Sequence, residues 1–305
     1  MRGLLLWAAQ NPWLSSHVPK WGFVRRATRR FLPGEDFDSA LRAAVEFKPK
    51  RIGPVFTKLG ENIRALSEAT ACVEHYETVI KKSVEAGLEP EISVKPTQVG
   101  LDIDPDATFA NLNRLAGAAA DANGFLWIDM EGSAYTDRTL DLYNRLHARH
   151  PRVGVCLQAY LYRTAADVFR LLSFKPAIRL VKGAYAEPAD RAFPMKRDVD
   201  ANYLALCALM LQDVSRKRVR LVLGTHDVEL IDRIARYADA IGMDRHELEV
   251  AMLYGIRTDQ QLRLASEGYR VRDLIAYGDA WYAWYLRRLA ERPANVWFVA
   301  RQMFG

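Results

Sequence analysis

Cysteine is scarce: the 305 residues hold three, Cys72, Cys156 and Cys207, odd in number and far apart. No two of them have the spacing of a zinc or redox motif, which excludes a disulfide framework and makes a reduced cytoplasm the expected setting. Long apolar runs are missing too. The opening stretch Met1 to Ala9 stops at Gln10-Asn11-Pro12 without a small-residue cleavage site, which predicts an amphipathic helix in place of a signal peptide. Nothing elsewhere is apolar for long enough to cross a bilayer. No GxGxxG or phosphate-loop motif follows an apolar run, which weakens a dinucleotide fold. No second histidine stands at ligand spacing from His226, which counts against a metal. A linker rich in Pro, Gly or Ser is also absent, and this predicts one domain over 1–305, with an N-terminal arm over 1–36.

Half of the residues are apolar, enough for a sizeable core, and the formal charge is +6. The lysines and arginines are dispersed, and no basic run is interleaved with stacking aromatics, which excludes a nucleic-acid partner. An anionic substrate or cofactor accounts for the balance equally well. Arg25, Arg26, Arg29 and Arg30 make the start of the chain basic, fitting a solvated face or peripheral contact with the inner face of a membrane.

Short, nearly continuous apolar segments alternate with helical periodicity. Strands are expected at Ile52 to Phe56, Glu91 to Lys95 continuing through Pro96-Thr97-Gln98, Gly124 to Glu131 and Val153 to Ala159. Four more are expected at Ile178 to Gly183, Val219 to Gly224, Leu248 to Leu253 and Tyr269 to Ala276. Strands that are apolar on both faces, separated by helices, imply a parallel sheet covered on its outside. Eight such units at this length predict an α/β fold, a (β/α)8 TIM-like barrel. Chemistry is then expected at the C-terminal ends of the strands.

Polar residues do gather at those ends: Lys95, Asp129 with Glu131, Gln158, Arg179 with Lys182 and Tyr185, and Thr225-His226-Asp227. Asp129 and Glu131 fit either paired acid–base carboxylates or loop caps. Lys95 could form a Schiff base. Near the C-terminus, Arg287 and Arg288 each lie one helical turn before Glu291, so one carboxylate can orient two guanidinium forks, a receptor for a small carboxylate. Trp281, Tyr282, Trp284 and Tyr285 surround that receptor as in a desolvated pocket, or as ordinary core. A helix there is placed to fold over the barrel mouth. The set of Lys95, Arg179, Lys182, Arg287 and Arg288 calls for more negative charge than one substrate carboxylate brings, which points to a phosphate-bearing cofactor.

Six segments in order resemble the monofunctional bacterial proline dehydrogenases. They are Leu126 to Glu131, Gln158 to Arg163, Arg179 to Tyr185, Thr225-His226-Asp227, Met252 to Arg257 and Arg287 to Pro293. The resemblance implies FAD and oxidation of L-proline to Δ1-pyrroline-5-carboxylate in proline catabolism. It implies that Lys95, Arg287 and Arg288 clamp the substrate carboxylate, that Asp129 positions an arginine and a lysine of that clamp, and that Tyr185 and Leu253 line the ring. Gln158, Arg179, Thr225, His226, Lys182 and the backbone of Val181 become FAD contacts, with Glu291 counted beside them. Glu61 becomes the acidic residue of a lid. Leu274 and Trp284 stand where the family has tyrosines that wall the ring, so a substituted proline or another cyclic imino acid is the alternative substrate. Two other classes compete: a binding protein that holds flavin or an imino acid without turnover, and a Schiff-base lyase built on Lys95. The electron acceptor is a quinone or a soluble carrier.

Overall fold

The structure is a computed structural model that describes residues 31–61 and 63–282, with Asn11, His17 and Leu286 besides. Trp284, Arg287, Arg288, Glu291 and the expected mouth helix beyond Tyr282 lie outside the described residues, as does most of the expected arm. Eight strands form: β1 (Ile52–Lys58), β2 (Glu91–Val94), β3 (Phe125–Ile128), β4 (Val153–Gln158), β5 (Ala177–Val181), β6 (Arg220–Gly224), β7 (Glu249–Leu253) and β8 (Arg270–Tyr277). Each runs parallel to the next, and β8 pairs with β1 to close a barrel. Helix α1 (Phe37–Phe47) precedes β1. Between the strands lie α2 (Leu66–Glu85), α3 (Pro105–Asp121), α4 (Thr136–His147), α5 (Thr164–Leu171), α6 (Lys196–Ser215), α7 (Val228–Ala240) and α8 (Thr258–Ser266). The fold is the (β/α)8 barrel that the strand spacing predicts.

Local chemistry starts the helices where the chain needs them. Asp36 accepts the Ser39 amide at 2.7 Å to cap α1, and Asp104 caps α3 ahead of Pro105, whose missing N–H costs nothing at a first turn. Proline also corrects one expectation. The second strand stops at Val94, and Pro96–Val99 is a tight 3-10 turn, because Pro96 has no N–H to give a ladder. Likewise β3 ends at Ile128, so Asp129 and Glu131 stand in the loop above it.

Side chains alternate along a strand, so each strand supplies one face to the lumen and one to the helices. Inward, Val55, Phe125, Trp127, Ala177, Val222 and Ala251 form one cluster with Leu274 against it. Beneath them the barrel floor is charged: Arg220 and Arg272 both pair with Glu91 and Glu249 at 2.6–3.0 Å. Outward, the strands meet a large apolar core with the helices.

One outward position on β8 is acidic. Asp273 is 1% exposed under α8, and Gln261 Nε2 donates to its Oδ1 at 3.3 Å, while Asp273 Oδ2 and Gln261 Oε1 have no partner. Gln261 Nε2 also donates to the carbonyls of Leu253 and Ile256 at 3.2 Å. Burial pushes the Asp273 pKa up to about 7, against a weaker opposing hydrogen bond from Gln261. The folded pKa exceeds the unfolded one, so this group's stabilisation is full below its unfolded pKa of about 4 and is lost as pH rises through about 7. Asp273→Asn keeps the shape and an acceptor for Gln261 without a charge. Urea unfolding at pH 5 and pH 8 is expected to show the native protein losing on the order of 2–3 kcal/mol more than the variant between the two.

Candidate active site

Lys95, Asp129, Gln158, Val181 and Leu253 share the inward parity of their strands and sit at the C-terminal rim of the barrel. Gln158 is level with Val181 across the β4–β5 pair, and Leu253 with Leu274 across β7–β8. Arg179 lies one layer lower. It is 4% exposed, donates from Nη2 to Ser93 Oγ at 2.7 Å, and forms an ion pair with Asp129. Burial opposes the Arg179 charge, but Asp129, Cys156 and Glu91 together outweigh it and the guanidinium is held more firmly protonated than usual. Asp129 thus pairs with Arg179, while the clamp arginines Arg287 and Arg288 lie outside the described residues. Lys95 instead faces Glu61 at 3.8 Å, with both side chains mostly covered.

The Glu61–Lys95 approach depends on a residue that the sequence did not single out. Gln98 accepts the Lys95 amide at 3.1 Å and donates to the carbonyls of Lys58 and Gly60 at 2.7 and 2.6 Å, stapling the exit of β1 to the exit of β2. Glu131 is the correction to the paired-carboxylate option. It turns away from Asp129 to take the Thr97 amide and hydroxyl at 3.2 and 2.7 Å, a buried cap whose pKa burial raises.

Lys182 points to the helix side of β5. It forms ion pairs with Asp200 of α6 and with Asp227 at the start of α7, the latter at 2.6 Å, and Lys196 joins the same two carboxylates. Burial works against the Asp227 carboxylate, yet the hydrogen bond and charge of Lys182 prevail and bring its pKa down to about 2. Thr225 is buried beside it, with its hydroxyl accepting the Asp227 amide at 3.2 Å, and His226 is half-buried. Tyr185 is half-buried on the segment after β5, which Glu187 ties to the loop after β3 through the Ser133 amide and hydroxyl at 2.6 and 2.5 Å. Of the five cations counted toward the mouth, Lys95, Arg179 and Lys182 each have a carboxylate within 4 Å, and Arg287 and Arg288 lie outside the described residues.

Gln158 at the rim and Arg179 one layer below it each have a buried polar atom without a partner. Gln158, whose Nε2 donates to the Glu131 carbonyl at 3.3 Å, leaves Oε1 unpaired, and Arg179 leaves Nη1 unpaired. A buried acceptor and a buried donor on adjacent strands suit a ligand with the opposite pair, such as the imide edge of a flavin ring. The surface groove between α6 and α7 near Ala205 and Tyr237 lies on the helix layer and touches no strand end. Among the described residues, no group of three His, Cys, Asp or Glu side chains could hold a metal ion.

Residues 40–301 match a family model described as proline dehydrogenase. The chain belongs to the proline dehydrogenase family. It is 33% identical to proline dehydrogenase 1 of Bacillus subtilis over 99% of this chain and 98% of that protein. It is 38% identical to the proline dehydrogenase of Deinococcus radiodurans, over 90% and 89% of the two chains. Among solved structures it resembles proline utilization A of Bdellovibrio bacteriovorus inactivated by N-propargylglycine, with a TM-score of 0.82 and 21% identity. A Bradyrhizobium japonicum proline utilization A variant gives 0.75 and 23%. The chain covers 95% and 91% of itself in these two matches but spans only 38% and 32% of those longer chains, so they bear on fold alone. The proline dehydrogenase family is flavin-dependent in general.

Proposed function

We propose that this protein oxidises L-proline to Δ1-pyrroline-5-carboxylate with FAD held at the barrel mouth, as a proline dehydrogenase of amino-acid catabolism. The observation that carries the reading is the unpaired, buried Gln158 Oε1 and Arg179 Nη1 on adjacent strands of a barrel that belongs to this family. FAD, when bound, supplies the acceptor for a hydride from the ring carbon beside the substrate nitrogen. Gln158, Arg179, Thr225, His226, Lys182 and the backbone of Val181 hold the cofactor, together with Glu291. Arg179 places a fixed positive charge where reduction leaves negative charge.

Lys95 anchors the substrate carboxylate together with Arg287 and Arg288. At 3.8 Å its contact with Glu61 is long for a charge-assisted hydrogen bond, so an entering carboxylate can take that place. Glu61 then serves the lid over the closed site. Tyr185 and Leu253 wall the ring, and clamping one end of a small ring is the economical way to aim a single carbon. The reading takes 1–305 as one barrel domain with an arm over 1–36. It also takes the enzyme as cytoplasmic, passing electrons to a quinone at the inner face of the membrane or to a soluble carrier. Among the described residues, no helix is long and apolar enough to cross a membrane.

Leu274 favours a second reading of the substrate. It faces the lumen half-buried, level with Leu253, and its side chain leaves more room than an aromatic ring. A substituted proline or a related cyclic imino acid would fill that room. Purified protein loaded with FAD and assayed with an artificial electron acceptor separates the readings. Turnover with L-proline supports the first, and turnover only with 4-substituted prolines selects the second. Bound FAD without turnover on either leaves a binding protein, and failure to take up FAD sinks the flavin reading altogether.

A further inference from the structure

We infer that Trp127 is a positioning residue for Arg179, and that the ion network on the barrel floor fixes Trp127 in turn. The inference rests on the placement of Arg179 at the flavin proposed above. The indole is 1% exposed in the lumen, its ring centre 5.2 Å from the Arg179 guanidinium carbon and 5.1 Å from that of Arg220. The indole N–H donates to Glu91 Oε2 at 2.8 Å. The other oxygen of the same carboxylate takes Arg220 at 2.7 Å and Arg272 at 3.0 Å, and Glu249 closes the network by pairing with both arginines. Glycine makes the space. A Cβ at Gly154 would come 2.5 Å from Trp127 Cζ3, and one at Gly53 would come 2.5 Å from Arg272 Nη1.

The geometry explains why Arg179 needs such a partner. Its hydrogen bonds to Ser93 and Asp129 both go through Nη2, and Cys156 lies level with it on β4. A guanidinium tethered at one nitrogen can still swing its plane, and the plane decides where the unpaired Nη1 points. An aromatic face attracts a cation and restricts that plane. Glu91 and the floor arginines hold the ring still, so the direction of Nη1 at the mouth is set from the bottom of the barrel.

The test is a double-mutant cycle on the FAD-loaded protein with Trp127→Phe and Arg179→Lys, read as the flavin midpoint potential, the FAD dissociation constant and the melting temperature. Trp127→Phe is expected to weaken the preference for reduced over oxidised flavin about tenfold, a shift of about 30 mV to more negative potential for a two-electron couple. Arg179→Lys should shift it at least as far, and the double variant should match Arg179→Lys alone. Additive shifts, or a lowered melting temperature with an unchanged potential in Trp127→Phe, would overturn the inference and leave Trp127 a core residue. If Trp127→Phe fails to fold, Trp127→Tyr replaces it, with a smaller shift in the same direction expected and no shift overturning the inference. An unchanged potential in Arg179→Lys overturns the inference together with the assignment of Arg179. L-proline would still reduce the flavin in that case, so the proposed reaction would stand.

Discussion

Glu249→Gln is expected to destabilise the barrel by about 3–5 kcal/mol, and to lower the melting temperature by on the order of 10 °C. Glu249 is 3% exposed and accepts from Arg220 at 2.6 and 2.9 Å and from Arg272 at 3.0 Å. Burial alone would raise its pKa, but the two arginines bring it down to about 2. Glutamine keeps the shape and removes the charge, which leaves two buried guanidinium groups with too little negative charge between them. The cost comes from that orphaned charge rather than from lost contact area. Replacing Glu91, Arg220, Glu249 and Arg272 together by apolar residues of similar volume, so that no floor charge is left alone, is therefore expected to cost much less than the single change. Denaturant unfolding of both variants checks this. The Glu249 contribution also has a defined pH window: it is present above the unfolded carboxyl pKa of 4.5 and is lost as pH falls toward 2.

The second large effect belongs to Lys95. Lys95→Met is expected to lower kcat/KM for proline by roughly 10²–10³, the scale of losing one charged partner in a mostly desolvated contact. KM should carry much of the loss, because the clamp holds the ground state as well as the transition state, and kcat should fall where the aim of the ring is lost. Folding should hardly change, since the described ion pair of Lys95 is the 3.8 Å contact with Glu61, and such a pair contributes little. FAD affinity should also be unaffected. Steady-state kinetics and a cofactor titration read these separately, and an unchanged KM would remove Lys95 from the clamp.

Strand order and closure were legible because periodicity is a local signal. Each apolar segment is read within a few residues, and parity then sends Lys95, Asp129, Gln158 and Leu253 to the lumen side of the rim. The ends of the segments were less legible: Pro96 stops β2, and Asp129 and Glu131 part ways in the loop after β3. Glu131 looked like the partner of Asp129 because it stands two residues away, yet it belongs to Thr97.

What the sequence hid is non-local. Arg220 meets Glu91 across 129 residues, and Arg272 meets Glu89 across 183. Taken singly, each is a charge at the start of a strand, which reads as solvated. Only barrel closure brings the four floor charges together and places Trp127 between them and Arg179. Lys182 shows the same limit, since Asp200 announces itself only as a helical neighbour of Lys196.

Proline oxidation by a flavin at this barrel mouth can be read in one experiment, mixing the FAD-loaded protein with L-proline in the absence of oxygen and other acceptors. The oxidised flavin band is expected to bleach, with one Δ1-pyrroline-5-carboxylate formed per flavin reduced. A flavin that stays bound and oxidised with saturating L-proline, and with substituted prolines as well, would contradict it.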